Sequence, residues 1–297
     1  MNPRMLLLNT GLALPSIGIT VSRASSQQTY TSVSRALRAG YRHIDLTRNG
    51  AMLSAVGAAV RASGVPRHEL FITMKVCANA ALSETIKSGY TRSVKNLDLG
   101  PPDLLLLSHS EGEAAEAIWP LLERLYWNGE VKSIGIRNFY GKELERLLGI
   151  AKLVPAVSQV AVSPLCSHRS VRRLCHWQGI VIETNGLFAH PGLRNHSVVT
   201  EIATSLGKSA AQILMRWGLQ SGMGVLAKSP TSELAEGSLN AFSFELSAGQ
   251  MKRLDQLDEG YADHRMSDAG LAHYSQRVQP LMPGKIPWSF VECARPR

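Results

Sequence analysis

The sequence predicts an α/β fold in which short parallel strands, each followed by a helix, close into a (β/α)8 TIM barrel. An N-terminal β-hairpin and a C-terminal tail across the barrel mouth complete it. Three observations carry this reading. Short apolar strands alternate with helix-period segments from residue 40 to residue 227. Gly and Pro punctuate the junctions where helices must stop. The run Leu104, Leu105, Leu106, Leu107 is apolar on both faces, as a strand of a covered parallel sheet has to be. With 297 residues, 44% hydrophobic and 19% charged, the chain can fill one large core, so residues 1–297 are read as one domain with 262–297 as the tail.

Taken in order, Leu-rich segments at 5–8 and 12–14 form the hairpin. Residues 27–39 carry Val33, Ala36 and Leu37 at helical spacing and end at Gly40. A strand at 40–45 ends in Asp45, and a helix at 51–63 is closed by Gly64 and Pro66. A strand at 70–75 ends in Lys75, and a helix at 82–97 is broken by Gly100, Pro101 and Pro102. The pattern then repeats: strands at 103–107, 132–136, 156–160, 180–184 and 224–227, and helices at 114–128, 142–150, 170–178, 198–206 and 210–219. One further helix follows Ser247.

A formal charge of +9 raises the possibility of nucleic acid, but the basic residues are spread along the chain with no basic run interleaved with aromatics. The charge is read as a solvated surface favouring anionic small molecules. Cys77, Cys166, Cys175 and Cys293 lie far apart, with no CxxC pair and no histidine at ligand spacing, so neither a disulfide framework nor a metal site is expected. No apolar run reaches the roughly 18 residues of a membrane span, and the apolar stretch after Met5 is short for a secretory signal. A cytoplasmic location is expected.

Active sites of such barrels collect at the C-terminal strand ends. Asp45 and Lys75 occupy two of these ends, and form either a catalytic pair or a structural ion pair. His43 is expected to pack in the core, two residues before Asp45.

These residues resemble the aldo-keto reductases over about residues 14–257. The segments that carry the likeness are 40–45, 71–75, 129–139, 157–160, 227–229 and 242–247, in the family's order and spacing. The resemblance implies a (β/α)8 barrel that binds NADPH in extended form and reduces carbonyls with an Asp-Tyr-Lys-His tetrad. In that tetrad a phenol, tuned by lysine and aspartate, donates a proton as hydride arrives. Asp45 matches the aspartate and Lys75 the lysine. The tyrosine position falls on Gly50, a register fixed by Gly57, and the histidine position falls on Ser108, with His109 one place later.

The cofactor positions depart as well. The Ser-Asn pair on the nicotinamide amide reads Arg137 and Asn138, and Gln159 is kept. The stacking tyrosine falls on Asn185, Lys228 and Ser229 remain in the phosphate loop, the arginine of the 2′-phosphate clamp is Leu234, and the pair near the adenine is Gly237 and Ser238. Losing a bidentate arginine and a stacking aromatic removes roughly two to four decades of affinity. The expectation is therefore a scaffold that has lost NADPH-dependent reduction, with no cofactor, or NADPH weak or absent. It would catalyse a non-redox acid/base step (isomerisation, dehydration or cyclisation) on a small organic substrate, anionic or carbonyl-containing. Asp45, Lys75, Ser108 and His109 are the catalytic candidates, and Arg48, Gly50, Cys77, Arg137, Asn185 and Tyr274 the substrate-binding ones. Asn138, Gln159, Lys228 and Ser229 are vestigial cofactor positions. A divergent NADPH-dependent carbonyl reductase, with another acid for the missing tyrosine, and a non-catalytic binding barrel are the alternatives.

Overall fold

The first barrel strand is one that the sequence pattern hides. In the computed structural model, which describes residues 4–21, 25–46, 50–77, 83–108, 114–190, 192–228 and 239–258, Ile17–Val21 (β3) opens a closed parallel barrel. It follows an antiparallel hairpin of Met5–Leu7 (β1) and Ala13–Pro15 (β2), in which Leu6 faces Leu14. Ser16 alone separates β2 from β3, so apolar periodicity runs through the junction without marking two strands.

The other barrel strands are His43–Leu46 (β4), Phe71–Cys77 (β5), Leu104–Ser108 (β6), Ile134–Arg137 (β7), Val157–Val160 (β8), Val181–Thr184 (β9) and Gly224–Lys228 (β10). Neighbours pair in chain order and β10 closes on β3, Val225 opposite Ile17. The helices are Ser26–Arg38 (α1), Gly50–Ser63 (α2), Ser83–Leu97 (α3), Ala114–Trp127 (α4), Gly141–Ile150 (α5), Arg169–Trp177 (α6), Ser197–Leu206 (α7), Ala210–Gln220 (α8) and Ala248–Asp255 (α9).

Local sequence explains where helices begin. Ser25, Ser209 and Ser247 each accept from the backbone three residues on, where Gln28, Gln212 and Gln250 reach back to the cap N–H. Gly57 sets the α2–α3 contact: a Cβ there would lie 2.0 Å from the carbonyl oxygen of Leu97.

The barrel interior is divided. Phe71, Leu104, Leu106, Ala156 and Val157 fill its N-terminal end, closed from below by Leu8 and Leu14 at the hairpin. The main core lies between strands and helices, around Trp119, Trp217, Ile44 and Ile72. Above the apolar plug, the inward positions are polar: Thr20, His43, Asp45, Thr73, Lys75, Gln159 and Glu183. This places the chemistry at the C-terminal end of the barrel. Among the described residues no helix is long and apolar enough to cross a membrane. The tail expected over the mouth lies outside the described residues.

Candidate active site

Period-two geometry puts His43 and Asp45 on one face of β4 and Thr73 and Lys75 on one face of β5, all toward the barrel axis. Lys75 Nζ donates to both oxygens of Asp45, at 2.5 and 2.6 Å, and the pair is 8% and 0% exposed. Thr20 Oγ1 donates to Asp45 Oδ2 at 2.9 Å, and Gln159 Nε2 reaches Asp45 Oδ1 at 3.4 Å. Burial holds the Lys75 ammonium below its ordinary range; Asp45 pulls it back up and the Arg137 guanidinium pushes it down. A lysine poised this way releases a proton more readily than a solvated one.

Below this pair lies a second polar group. Gln159 pairs in register with Glu183, and its Nε2 donates to Glu183 Oε2 at 2.8 Å. His43 Nδ1 stands 3.4 Å from Glu183 Oε1, while His43 Nε2 is 3.0 Å from Thr73 Oγ1. Burial, with Asp45 adding to it, pushes the Glu183 carboxyl up to about 8; burial lowers His43 to about 4. His43 is buried in the core as expected, but in a polar network.

Of the other predicted residues, Ser108 ends β6, buried between Cys77 and Arg137 in the strand register. Arg137 ends β7 opposite Gln159. Asn138 follows it with φ 59°, a left-handed conformation that asparagine tolerates, and its backbone N–H donates to the Gln159 carbonyl at 2.9 Å. Asn185 follows β9. Gly50 opens α2, and Cys77 and Lys228 close β5 and β10. Arg48, His109, Ser229 and Tyr274 lie outside the described residues, as do Leu234, Gly237 and Ser238. The strand-end positions thus come together as Asp45, Lys75, Ser108, Arg137 and Gln159.

Glu183 and Thr20 are the members that sequence reasoning missed. The signal for Glu183 was present: a carboxylate in the strand Val181, Ile182, Glu183, Thr184, buried as a parallel strand should be, needs a partner. Thr20 was hidden with the rest of β3.

Buried amide oxygens test the site against a nicotinamide cofactor. Gln159 Oε1 and Asn185 Oδ1 have no donor among the described residues. Two open acceptors on the neighbouring β8 and β9 side of the mouth fit a carboxamide NH2, which carries two donors. Among the described residues no group of three or more His, Cys, Asp or Glu suits a metal ion.

A closed parallel barrel with a lysine–aspartate pair at adjacent C-terminal strand ends defines a TIM-barrel enzyme scaffold. The chain belongs to the aldo/keto reductase family, whose sequence profile matches residues 11–259. It is 34% identical over 255 residues to an aldo-keto reductase of Mycolicibacterium smegmatis, covering 85% of this chain and 90% of the relative. It is 34% identical to the glyoxal reductase of Bacillus subtilis (85% and 92% covered) and 31% identical to the morphine 6-dehydrogenase of Pseudomonas putida (85% and 90%). The crystal structure of MGS-M4, an aldo-keto reductase from a Medee basin deep-sea metagenome library, superposes with a TM-score of 0.82 at 30% identity, over 89% of this chain and 99% of that one.

These relatives overturn two expectations: the non-redox acid/base step and the absence of a cofactor. The named relatives are reductases and a dehydrogenase, matched along almost their whole length, and they point to NADPH-dependent oxidoreduction rather than a non-redox step. The expectation failed because it added the departures at Gly50, Arg137, Asn185 and Leu234 as independent losses. Contributions within one site are not additive, and Gln159, kept from the family pattern, retains an amide oxygen with no donor among the described residues beside those departures.

Proposed function

We propose that this protein is an NADPH-dependent carbonyl reductase acting on small aldehydes or ketones, in which Lys75 replaces tyrosine as proton donor. The observation that carries this is the Lys75 ammonium, held near a strand end by both oxygens of Asp45 and lowered below its ordinary range by burial. Gln159, Asn138 and Asn185 would hold the nicotinamide amide, and Lys228 and Ser229 the phosphate side. The bound cofactor supplies the hydride that reduces the carbonyl carbon.

The chain's own residues perform the rest. Asp45 orients Lys75 Nζ and offsets its charge. Lys75 gives its third N–H proton to the carbonyl oxygen as negative charge develops there, and the resulting amine takes a proton from water. Arg137 adds positive potential at the same mouth, which favours the oxyanion and suits an anionic or dicarbonyl substrate. Ser108 lies on the strand between them and is proposed to hydrogen-bond the substrate oxygen. Tyr140 is a poor substitute donor, because burial raises its phenol. We take residues 1–297 as one cytoplasmic barrel domain.

The test is NADPH oxidation with glyoxal, methylglyoxal and aromatic aldehydes as substrates, in wild type and Lys75→Met. Turnover that disappears in the variant supports the reading; equal turnover in both overturns the role of Lys75.

A further inference from the structure

The reductase chemistry makes no direct use of the buried group below it, yet that group is built with care. Glu183 Oε1 and His43 Nδ1 are both buried, neither has a hydrogen-bond partner among the described residues, and they face each other at 3.4 Å. One proton between them satisfies both. Space for the His43 ring is made by Gly18 on β3, where a Cβ would fall 2.5 Å from Nδ1 and 2.7 Å from Cγ. On β10 the residue opposite Glu183 is Gly224, where a Cβ would sit 3.4 Å from the Glu183 Cγ. Gly18 therefore makes room for the imidazole inside an otherwise filled barrel, while Gly224 stands in ordinary van der Waals reach of the carboxyl.

Charge decides where the proton rests. Glu183 is met by Asp45 from β4, by Lys75 from β5 and by the Gln159 amide from β8. His43, lowered to about 4 by burial against the pull of Asp45, Asp103 and the Pro15 backbone and with Lys75 adding to the lowering, is neutral at physiological pH. Lys75 is committed to Asp45 through both oxygens. If Glu183 were ionised, accepting from a neutral His43 Nδ1–H, two carboxylates would share one Gln159 amide and one lysine in a buried site. With the proton on Glu183, its O–H donates to Nδ1, the Nε2–H donates to Thr73 Oγ1, and among the described residues Asp45 is the one carboxylate left acting on the ammonium.

We propose that Glu183 is a positioning residue of the Asp45–Lys75 site: held as a carboxylic acid that donates to His43 Nδ1, it leaves Lys75 facing a single carboxylate and so sets how readily Lys75 releases its proton. The effect on Lys75 rests on the reductase reading, whereas the protonation of Glu183 does not. An ionised Glu183 would hold the lysine proton more tightly; the neutral acid makes Lys75 the stronger donor, which a site with glycine at the tyrosine position needs.

The sign of the pH effect follows. A carboxyl raised to about 8 stabilises the fold fully below its unfolded value near 4.5, and that stabilisation is lost as pH rises through 8. His43 and His168, both lowered to about 4, act in the opposite direction below about 6.5. From pH 6.5 to 8 the two histidines no longer contribute, and the buried Lys75, also lowered, is common to wild type and variant, so the difference between the two proteins is what reports Glu183. The experiment has two arms. Thermal midpoints of wild type and Glu183→Gln are compared across this window: the variant gains on the wild type as pH rises, and parallel curves overturn the proposal. Infrared spectra of the wild type alone, which need no variant to fold, show a buried carboxylic acid band at pH 7 that disappears through about pH 8; its absence at pH 7 overturns the proposal. If NADPH-dependent turnover is present, the high-pH limb of kcat/KM moves to lower pH in Glu183→Gln, a shift that a purely structural role would not cause. If turnover is absent but the band is present, the reductase reading has failed and the protonated Glu183 stands.

Discussion

Replacing Lys75 by methionine removes the cation and keeps the length of the side chain. What remains is Asp45, 0% exposed, with only Thr20 Oγ1 at 2.9 Å and Gln159 Nε2 at 3.4 Å to donate to it among the described residues. Two neutral donors do not replace an ammonium that held both oxygens, and breaking a buried ion pair from one side costs about 3–5 kcal/mol. In a domain of this size that lowers the thermal midpoint by on the order of 10 °C. The comparison that isolates the cause is the double variant Asp45→Asn, Lys75→Met, which removes both charges and leaves no orphan. It is expected to recover at least about 2 kcal/mol relative to the sum of the single variants, measured by urea unfolding of all four proteins. Additive costs would refute the reasoning, because they would mean that the two side chains do not sense each other's charge. Activity provides the contrast: stability returns in the double variant, and reduction does not.

Other outcomes follow from the same structure. Gly57→Ala places a methyl 2.0 Å from the Leu97 carbonyl oxygen, so α2 and α3 must separate, lowering stability by about 1–3 kcal/mol with no change in KM. Asp255→Ala removes the acceptor of the Trp217 Nε1–H, bonded at 2.8 Å, and leaves a buried indole donor unsatisfied; a loss of about 1–3 kcal/mol is expected in urea unfolding. Gly50→Tyr supplies a phenol at the position where the family resemblance puts the proton donor. General-acid catalysis contributes roughly 10²–10⁴-fold, so kcat for a small aldehyde rises at least tenfold; an unchanged rate would show that proton transfer does not limit reduction.

Much of this architecture is legible in the sequence, for identifiable reasons. The strands carrying Asp45 and Lys75 announce themselves because apolar alternation meets a charged residue, although β4 runs on to Leu46 and β5 to Cys77, and the run Leu104 to Leu107 because a parallel strand is covered on both faces. Ile17–Val21 is hidden by its closeness to the hairpin strand Ala13–Pro15, which merges two strands into one apolar stretch. Asp45 and Lys75 meet as expected. Glu183 carries a signal, a carboxylate inside an apolar strand, but its partners, like the participation of Thr20, depend on β9 and β3 turning these side chains toward the barrel axis, a property of barrel closure rather than of either segment. The larger error concerned function: departures at single positions were visible, but their joint effect was not, since the Gln159 amide acceptor is kept beside them.

The most direct test of the central claim is titration of the purified protein with NADPH, following cofactor fluorescence, and then addition of a small aldehyde while absorbance of the reduced nicotinamide is recorded. Saturable binding followed by aldehyde-dependent oxidation that is lost in Lys75→Met is the predicted result. Binding that does not saturate at millimolar NADPH, with no oxidation on any carbonyl, would contradict it.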